Sequence, residues 1–168
     1  MTLSAIALIL SVLLILLPTV LGLTYPGVWP QEGATLEAGA MQAALAVSTI
    51  NLFNNNISVG SNVTVASFTA ATFTGYAAQA LATVPAPVND STLGGVSIFI
   101  PSHLFTCTTA PDTPETIYGW WLQDTTGKCV AAGNFTQPFI IANVGDTVPM
   151  QVTLNFQSAG MSAIANIL

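Results

Sequence analysis

Few residues in this chain are of a type that supports catalysis. His103 is the single histidine among 168 residues, so any serine or cysteine triad would have to include it. No Gly-x-Ser-x-Gly motif is present, and "IPSHLF" places His103 in or at the end of an apolar strand. A hydrogen-bonded structural histidine is the better interpretation, because a lone histidine rarely makes a catalytic site. We predict no catalytic residue and no enzymatic activity.

Metal-binding chemistry is also weakly supported. A zinc site built from His103, Cys107 and Cys129 would lack a fourth ligand. Asp112 and Glu115 in "APDTPETI" carry the oxygen ligands that Ca²⁺ prefers, but two loop carboxylates are more typical of a solvated turn. The sequence therefore predicts neither a metal nor a cofactor.

The two cysteines carry more information. Cys107 and Cys129 are an even pair in a chain with the composition of an exported protein, which favours a disulfide. Both fall in predicted strands that a hairpin containing Trp120 and Trp121 would bring side by side. The alternative is two buried free thiols, since unpaired cysteine packs as a small hydrophobe. We predict the disulfide.

Four asparagines stand in Asn-x-Ser/Thr triplets and are candidates for glycosylation. Glycans would solvate a surface that has almost no charge. A chain rich in Asn, Ser and Thr also produces such triplets by chance. The four candidates are Asn56, Asn62, Asn89 and Asn134.

The hairpin aromatics allow two interpretations. Trp120 and Trp121 are neighbours in one predicted strand, so at least one ring faces outward. An outward ring either fills a contact between subunits or stacks on a sugar. The stronger interpretation places one tryptophan inside the sandwich and the other at a subunit contact.

Composition excludes one large class of function. Charged residues are 5% of the chain, and Lys128 is the only basic side chain against seven acidic ones, for a net charge of −6. Nucleic-acid binding is excluded, because neutralising phosphates requires several basic residues. The 52% apolar content is enough to supply a core, so the composition indicates an ordered protein rather than a disordered one.

The first 22 residues, "MTLSAIALILSVLLILLPTVLG", contain no charged side chain. One interpretation is a secretory signal cleaved after Gly22, and another is a membrane span of about 20 residues. The third is a retained helix that other copies or lipid bury. We predict retention, with Leu14 near the middle of the buried run.

The elements that must position these residues are mostly strands. "TVPMQVTLNFQ" (147–157) alternates apolar and polar residues, which predicts one buried and one wet face. Gly127 suits a hairpin turn over 124–127, and residues 144–146 form another turn. One amphipathic helix is predicted over residues 35–49. Its buried stripe comprises Leu36, Ala40, Ala43 and Val47. Further strands are predicted over 50–53, 63–68, 73–84, 96–105, 116–123, 128–135 and 139–142.

Seven or eight short strands between turns predict an all-β fold, an antiparallel β-sandwich of jelly-roll or immunoglobulin-like type. A hydrophobic N-terminal helix and one short helix precede it. The apolar tail adds the contact candidates Ile164 and Leu168. The regions are a hydrophobic segment (1–23), a linker with the short helix (24–50), the β-sandwich domain (51–157) and the tail (158–168).

Two stretches carry a resemblance, "INLFNNNISVGSNVTVASFTAATFTGYAAQ" and "IYGWWLQDTTGKCVAAGNFTQPFIIANVGDTVPMQVTLNF". Together they resemble small uncharacterised β-sandwich proteins of phage and environmental viral structural genes. The shared pattern is a Leu-Phe strand with a run of Asn, then Phe-Thr-Gly-Tyr, then an Ile-Tyr-Gly-aromatic hairpin. The resemblance covers roughly residues 50–157 and implies a component of a particle or fibre. The hydrophobic start and the cysteine pair depart from that pattern.

We therefore expect a non-catalytic structural protein that assembles with copies of itself, through apolar termini and sheet edges, in a virion or an extracellular pilus-like filament. The alternative is a secreted or membrane-anchored module that binds glycans through exposed aromatic residues, as an adhesin does. Both place the protein outside the cell or on a virion surface. Lipid is a further partner if residues 1–23 associate with a membrane.

Overall fold

A computed structural model describes residues 31–90, 95–157 and 160–166, with side chains over 33–90 and 95–157. The predicted hydrophobic segment, Leu14 and Leu168 lie outside the described residues, and for Ile164 only the backbone is described. What the sequence indicates for these residues therefore stays a prediction.

The described chain folds into two antiparallel sheets and one long helix, so the mostly β prediction is confirmed at that level. The elements are α1 (Gln31–Leu45), β1 (Thr49–Phe53), β2 (Gln79–Ala80), β3 (Val88–Asn89), β4 (Val96–Thr106), β5 (Glu115–Gln123), β6 (Cys129–Ile141), β7 (Thr147–Gln157) and β8 (Gly160–Asn166). A 3₁₀ helix (Val65–Ser67) lies between β1 and β2. The first sheet has the order β2-β1-β5-β6, and the second has the order β3-β4-β7-β8.

Both sheets and the helix contribute side chains to one hydrophobic cluster, the main core. The alternation predicted for residues 147–157 holds on its apolar side, where every second residue of β7 is buried. These residues are Val148, Met150, Val152, Leu154 and Phe156. The opposite side was predicted to be wet, and there Thr153 and Asn155 are buried instead.

The helix exists, but its predicted stripe is wrong. Leu36 is 77% exposed and Val47 is 58% exposed, and Ala40 and Ala43 also face solvent. Because α1 begins at Gln31 and ends at Leu45, Val47 lies beyond it. The buried stripe is instead Ala34, Ala38, Met41 and Leu45, which pack into the main core while α1 contacts β4 and β7. Small residues at 34 and 38 let the helix approach the strands closely.

Two strand predictions are also wrong. Residues 63–68 form a loop with a 3₁₀ helix, and within 73–84 only Gln79–Ala80 pairs as a strand. The runs 128–135 and 139–142 belong to the single strand β6 together with the residues between them. Side chains bond to backbone groups in both regions: Asn55 Nδ2 donates to Ser67 O, and the Tyr76 hydroxyl accepts from the Leu52 N–H.

Both predicted turns are confirmed. Gly127 has φ of +82° and Gly145 has φ of +90°, conformations that glycine adopts most readily. In the first turn, Asp124 Oδ1 accepts from the Thr126 and Lys128 N–H groups at 2.8 Å. In the second, Asp146 Oδ2 accepts from two backbone N–H groups at 2.7 Å. These hydrogen bonds lower the pKa of both carboxyl groups.

Residues 54–70, which we name the covering loop, cross the outer face of the first sheet. They bury Phe68 against Phe53 and Trp121 in a second hydrophobic cluster, separate from the main core. The Phe68 and Trp121 rings are stacked with centroids 5.1 Å apart and planes 8° apart. The side chain of Asn55 ties the loop to itself, donating to Ser67 O at 2.9 Å and accepting from Thr69 N at 2.8 Å.

Candidate functional site

The hairpin tryptophans lie on opposite faces of the first sheet, as neighbours in a strand must. Trp120 is fully buried in the main core, and its Nε1 has no hydrogen-bond partner among the described residues. Trp121 does face outward, but the covering loop buries it to 4% exposure. One tryptophan was predicted inside the sandwich, and Trp120 lies there. The outward contact predicted for the other tryptophan is wrong for Trp121, which the covering loop buries. The reason is local, because loop side chains within the same chain occupy the place assigned to a subunit or a sugar.

The predicted disulfide is wrong, and Cys107 and Cys129 are free thiols. Cys129 is the first residue of β6, whereas Cys107 exchanges backbone hydrogen bonds with Gly145 and Asp146, just beyond the end of β6. A 13-residue strand spans roughly 40 Å at about 3.3 Å per residue, far more than a disulfide bridges. The β5–β6 hairpin pairs Cys129 with Gln123, not with β4.

The surroundings of the two thiols differ. Cys107 is buried in the main core, and its Sγ lies 3.1 Å from Thr109 O. Cys129 is half-buried beside the second cluster, and burial raises the pKa of its thiol. A raised pKa lowers the thiolate fraction, so Cys129 is a poor nucleophile where it stands.

His103 connects the two sheets. Gln79 of β2 donates from Nε2 to Leu104 O at 2.8 Å, which orients its amide so that Oε1 faces His103 Nδ1 at 2.9 Å. Because an amide oxygen only accepts, Nδ1 carries the hydrogen. Burial lowers the pKa of the imidazole, which favours the neutral ring. This is the geometry of the structural histidine that the sequence favoured.

The two carboxylates considered for Ca²⁺, those of Glu115 and Asp112, have different surroundings. Glu115 accepts hydrogen bonds from Asn54 Nδ2 and from the Thr72 N–H, each at 2.8 Å, and so joins the start of the covering loop to a residue just beyond its end. Asp112 is exposed in the preceding loop. Within the parts of the chain that are described, no three histidine, cysteine or acidic side chains gather as a metal site would require.

The four glycosylation candidates divide into two groups. Asn56 and Asn62 are exposed in the covering loop, and Asn89 is exposed in β3, so they stay predictions. Asn134 is different, because its Nδ2 donates to Ile57 O at 2.8 Å and its Oδ1 accepts from Val59 N at 2.9 Å. Nδ2 is the atom to which a glycan attaches, so a sugar there would compete with the bond that fastens the covering loop to β6.

The sequence did not predict one pair of buried polar side chains, Ser97 and Asn155. On the outer face of the second sheet, Asn155 Nδ2 donates to Ser97 Oγ at 2.8 Å, and Ser97 Oγ donates to Asp90 Oδ2 at 2.9 Å. Asn155 and Ser97 are fully buried, and within the described part of the chain Asn155 Oδ1 accepts no hydrogen bond. The available signal was the register, since Ser97 and Asn155 are cross-strand partners. Sequence alternation alone assigns both to solvent.

These groups do not converge on one site. His103 joins the two sheets, and Glu115 holds the covering loop. The Ser97–Asn155 pair lies elsewhere, on the outer face of the second sheet. Over residues 31–90, 95–157 and 160–166, no helix has the length and apolarity to cross a membrane. No protein-family model, curated protein or solved structure matches the chain.

Proposed function

We propose that this chain is a non-catalytic structural subunit that assembles with copies of itself in a virion or an extracellular filament. It acts outside the cell or on a virion surface, with its apolar termini and sheet edges as the contacts. Residues 1–23 add lipid as a partner if they associate with a membrane.

The observation that carries the proposal is how the reactive side chains are used. The imidazole of His103 and the carboxylates of Glu115, Asp124 and Asp146 each hold strands or loops in place through hydrogen bonds. Hydrolytic catalysis needs an acid and a base within reach of one substrate in a cleft. These four groups instead stand at separate structural junctions, which supports a structural role.

The sparse charge supports self-contact. Charged residues are depleted at the centres of protein interfaces, because burying them costs desolvation free energy. A chain with 5% charged residues offers broad areas where a copy can dock without that cost. Large apolar side chains on several elements are also exposed, among them Leu36, Leu104, Ile140 and Val144.

We further propose that the two sheets form an antiparallel β-sandwich of jelly-roll or immunoglobulin-like type. The support is that inward residues of both sheets join one hydrophobic cluster, as sandwich layers do. The resemblance to viral structural β-sandwich proteins over residues 50–157 agrees with this assignment. The glycan-binding alternative depended on exposed aromatic residues, and Trp120 and Trp121 are buried.

The test is the assembly state of native material, measured by light scattering and electron microscopy over a range of concentrations. We expect particles or filaments. We also expect Leu14→Asp, which places a charge in the predicted buried run, to abolish assembly while the β domain keeps its unfolding transition. A monodisperse monomer at every concentration would overturn the proposal.

A further inference from the structure

The first sheet cannot take a further strand at its β2–β1 edge. β2 is only two residues long. Beyond it, the Leu52 N–H donates to the Tyr76 hydroxyl at 3.1 Å, and Leu52 O accepts from the Ala71 N–H at 2.9 Å. The backbone groups that an added strand would need are therefore already bonded.

The other edge of the first sheet, β6, is interrupted by a bulge. Gly119 pairs with Asn134 and Ile117 pairs with Phe139, so four residues of β6 stand opposite Tyr118. Among those four is Pro138, which has no N–H to donate. Bulges and prolines at edges prevent strand addition.

The β3 side of the second sheet is protected in the same ways. β3 has two residues and follows Pro85 and Pro87. Further along β4, Pro101 lies within a register shift between Ile100 and His103. Three of the four edges thus carry devices that natural sheets use against edge pairing.

β8 carries none of these devices. Its seven residues pair with β7 without a register shift, from Gln157↔Gly160 to Gln151↔Asn166. Its sequence, "GMSAIAN", contains no proline and no charged residue. In the described part of the chain, no strand pairs with the other side of β8.

The hydrogen-bonding direction of the β8 backbone follows from the alternation of antiparallel ladders. The Asp90 N–H donates to Gly95 O at 3.0 Å. The backbone N–H and C=O groups of Gly95 therefore point toward β3, and those of the next residue, Val96, point toward β7. Carried through the β4–β7 and β7–β8 registers, this makes Ser162 and Ile164 the residues bonded to β7. The N–H and C=O groups of Met161, Ala163 and Ala165 then point away from β7. Within the described residues, no strand pairs with this evenly spaced row of donors and acceptors.

We propose that this row pairs antiparallel with β8 of a second copy, about a two-fold axis near Ala163, and joins the second sheets of two subunits into one continuous sheet. The inference rests on the proposed function and names its contact. A second copy fits because an antiparallel pair of identical strands is self-complementary. It also fits because β7 and β8 contain no charged residue in a chain of net charge −6, so two copies meet there without like charges opposite each other.

The test uses the full chain and its assembly measured by sedimentation, with amide hydrogen exchange resolved by residue. In the assembled protein, we expect the amides of Met161, Ala163 and Ala165 to exchange at least tenfold more slowly than in dissociated protein, while Ser162 and Ile164 change little. Ala163→Pro removes one outward N–H and should weaken this contact at least a hundredfold. The matched variant Ser162→Pro removes an N–H bonded to β7, and should also release β8 from its own sheet.

The exchange pattern of the wild-type protein decides the inference even if a proline variant disturbs folding. Assembly with unprotected amides at 161, 163 and 165 would overturn the β8 contact and leave self-assembly through another surface. A chain that stays monomeric at all concentrations would overturn the proposed function as well.

Discussion

Each sheet has a buried patch on its outer face, but the two patches are buried by opposite chemistry. On the first sheet, the covering loop places Phe68 over Phe53 and Trp121, so burial there is apolar. On the second sheet, Ser97 and Asn155 are fully buried as hydrogen-bonded partners. Apolar burial depends on area removed from water, whereas polar burial stabilises only when each group finds a partner. The first face should therefore respond to lost volume, and the second to lost pairing.

The largest expected effect tests the apolar face. Phe68→Ala removes a ring that is 9% exposed and touches both Phe53 and Trp121. We expect it to lower the free energy of unfolding by about 3–4 kcal/mol, because the transfer free energy of the ring is lost and a cavity remains. Denaturant unfolding measures this directly.

Phe99→Ala is the matched control on the second sheet. Phe99 is 40% exposed, so the same substitution should cost at most about 1 kcal/mol. Equal costs for the two variants would contradict the assignment of apolar burial to the first face alone.

The next largest effect tests the polar face. Ser97→Ala removes the hydroxyl that accepts from Asn155 Nδ2 and donates to Asp90 Oδ2, and should cost about 2 kcal/mol because buried polar atoms lose their hydrogen bonds. Asn155→Leu keeps the Ser97–Asp90 bond and removes a buried Oδ1 to which none of the described groups donates, so it should be close to neutral. Comparable losses from both variants would show that shape, rather than pairing, governs this face.

The edge of the first sheet gives a pH-dependent test. Tyr76→Phe leaves the Leu52 N–H without its hydroxyl partner and should cost about 1–2 kcal/mol. Burial also raises the pKa of Tyr76, so the folded protein holds the phenol proton more tightly than the unfolded chain does. Stability from this source is complete below about pH 10 and is lost as pH rises through the folded pKa.

Urea unfolding between about pH 8 and pH 11 compares the two proteins. The wild-type protein should lose more stability across this range than Tyr76→Phe does, since the variant has no phenol at that position. Parallel curves would mean that the hydroxyl of Tyr76 is not held as the geometry indicates.

The sequence pattern predicted the parts of the fold in which the type of each residue matches its burial or its backbone conformation. The apolar side of β7 and the turn at Gly127 came from local alternation and from a backbone conformation that few residues adopt. The helix stripe failed because α1 is rich in alanine, whose small side chain gives little contrast between a buried and an exposed face. Ala34 is buried and Ala40 is exposed, with identical chemistry.

Long-range placement accounts for the failures at the candidate site. The disulfide prediction assumed that Cys107 and Cys129 meet through the hairpin, but β4 and β6 belong to different sheets. The exposure predicted for Trp121 ignored a loop that starts more than 50 residues earlier in the chain. The pairing of Ser97 with Asn155 spans 58 residues and depends on the register of β4 and β7. None of these long-range placements produces a recognisable pattern among neighbouring residues in the sequence.

The smallest expected effect concerns how the covering loop is fastened to β6. Asn134 is exposed, yet its side-chain amide bonds to Ile57 O and to the Val59 N–H, so Asn134→Ala should cost about 1 kcal/mol through two lost hydrogen bonds. It should also speed proteolysis of the loop, because the loop loses its contact with the strand beneath it. The control Asn62→Ala, at an exposed position in the same loop, should change neither stability nor cleavage. If the two variants are cleaved at the same rate, Asn134 does not fasten the loop, and apolar burial of Phe68 alone holds it on the first sheet.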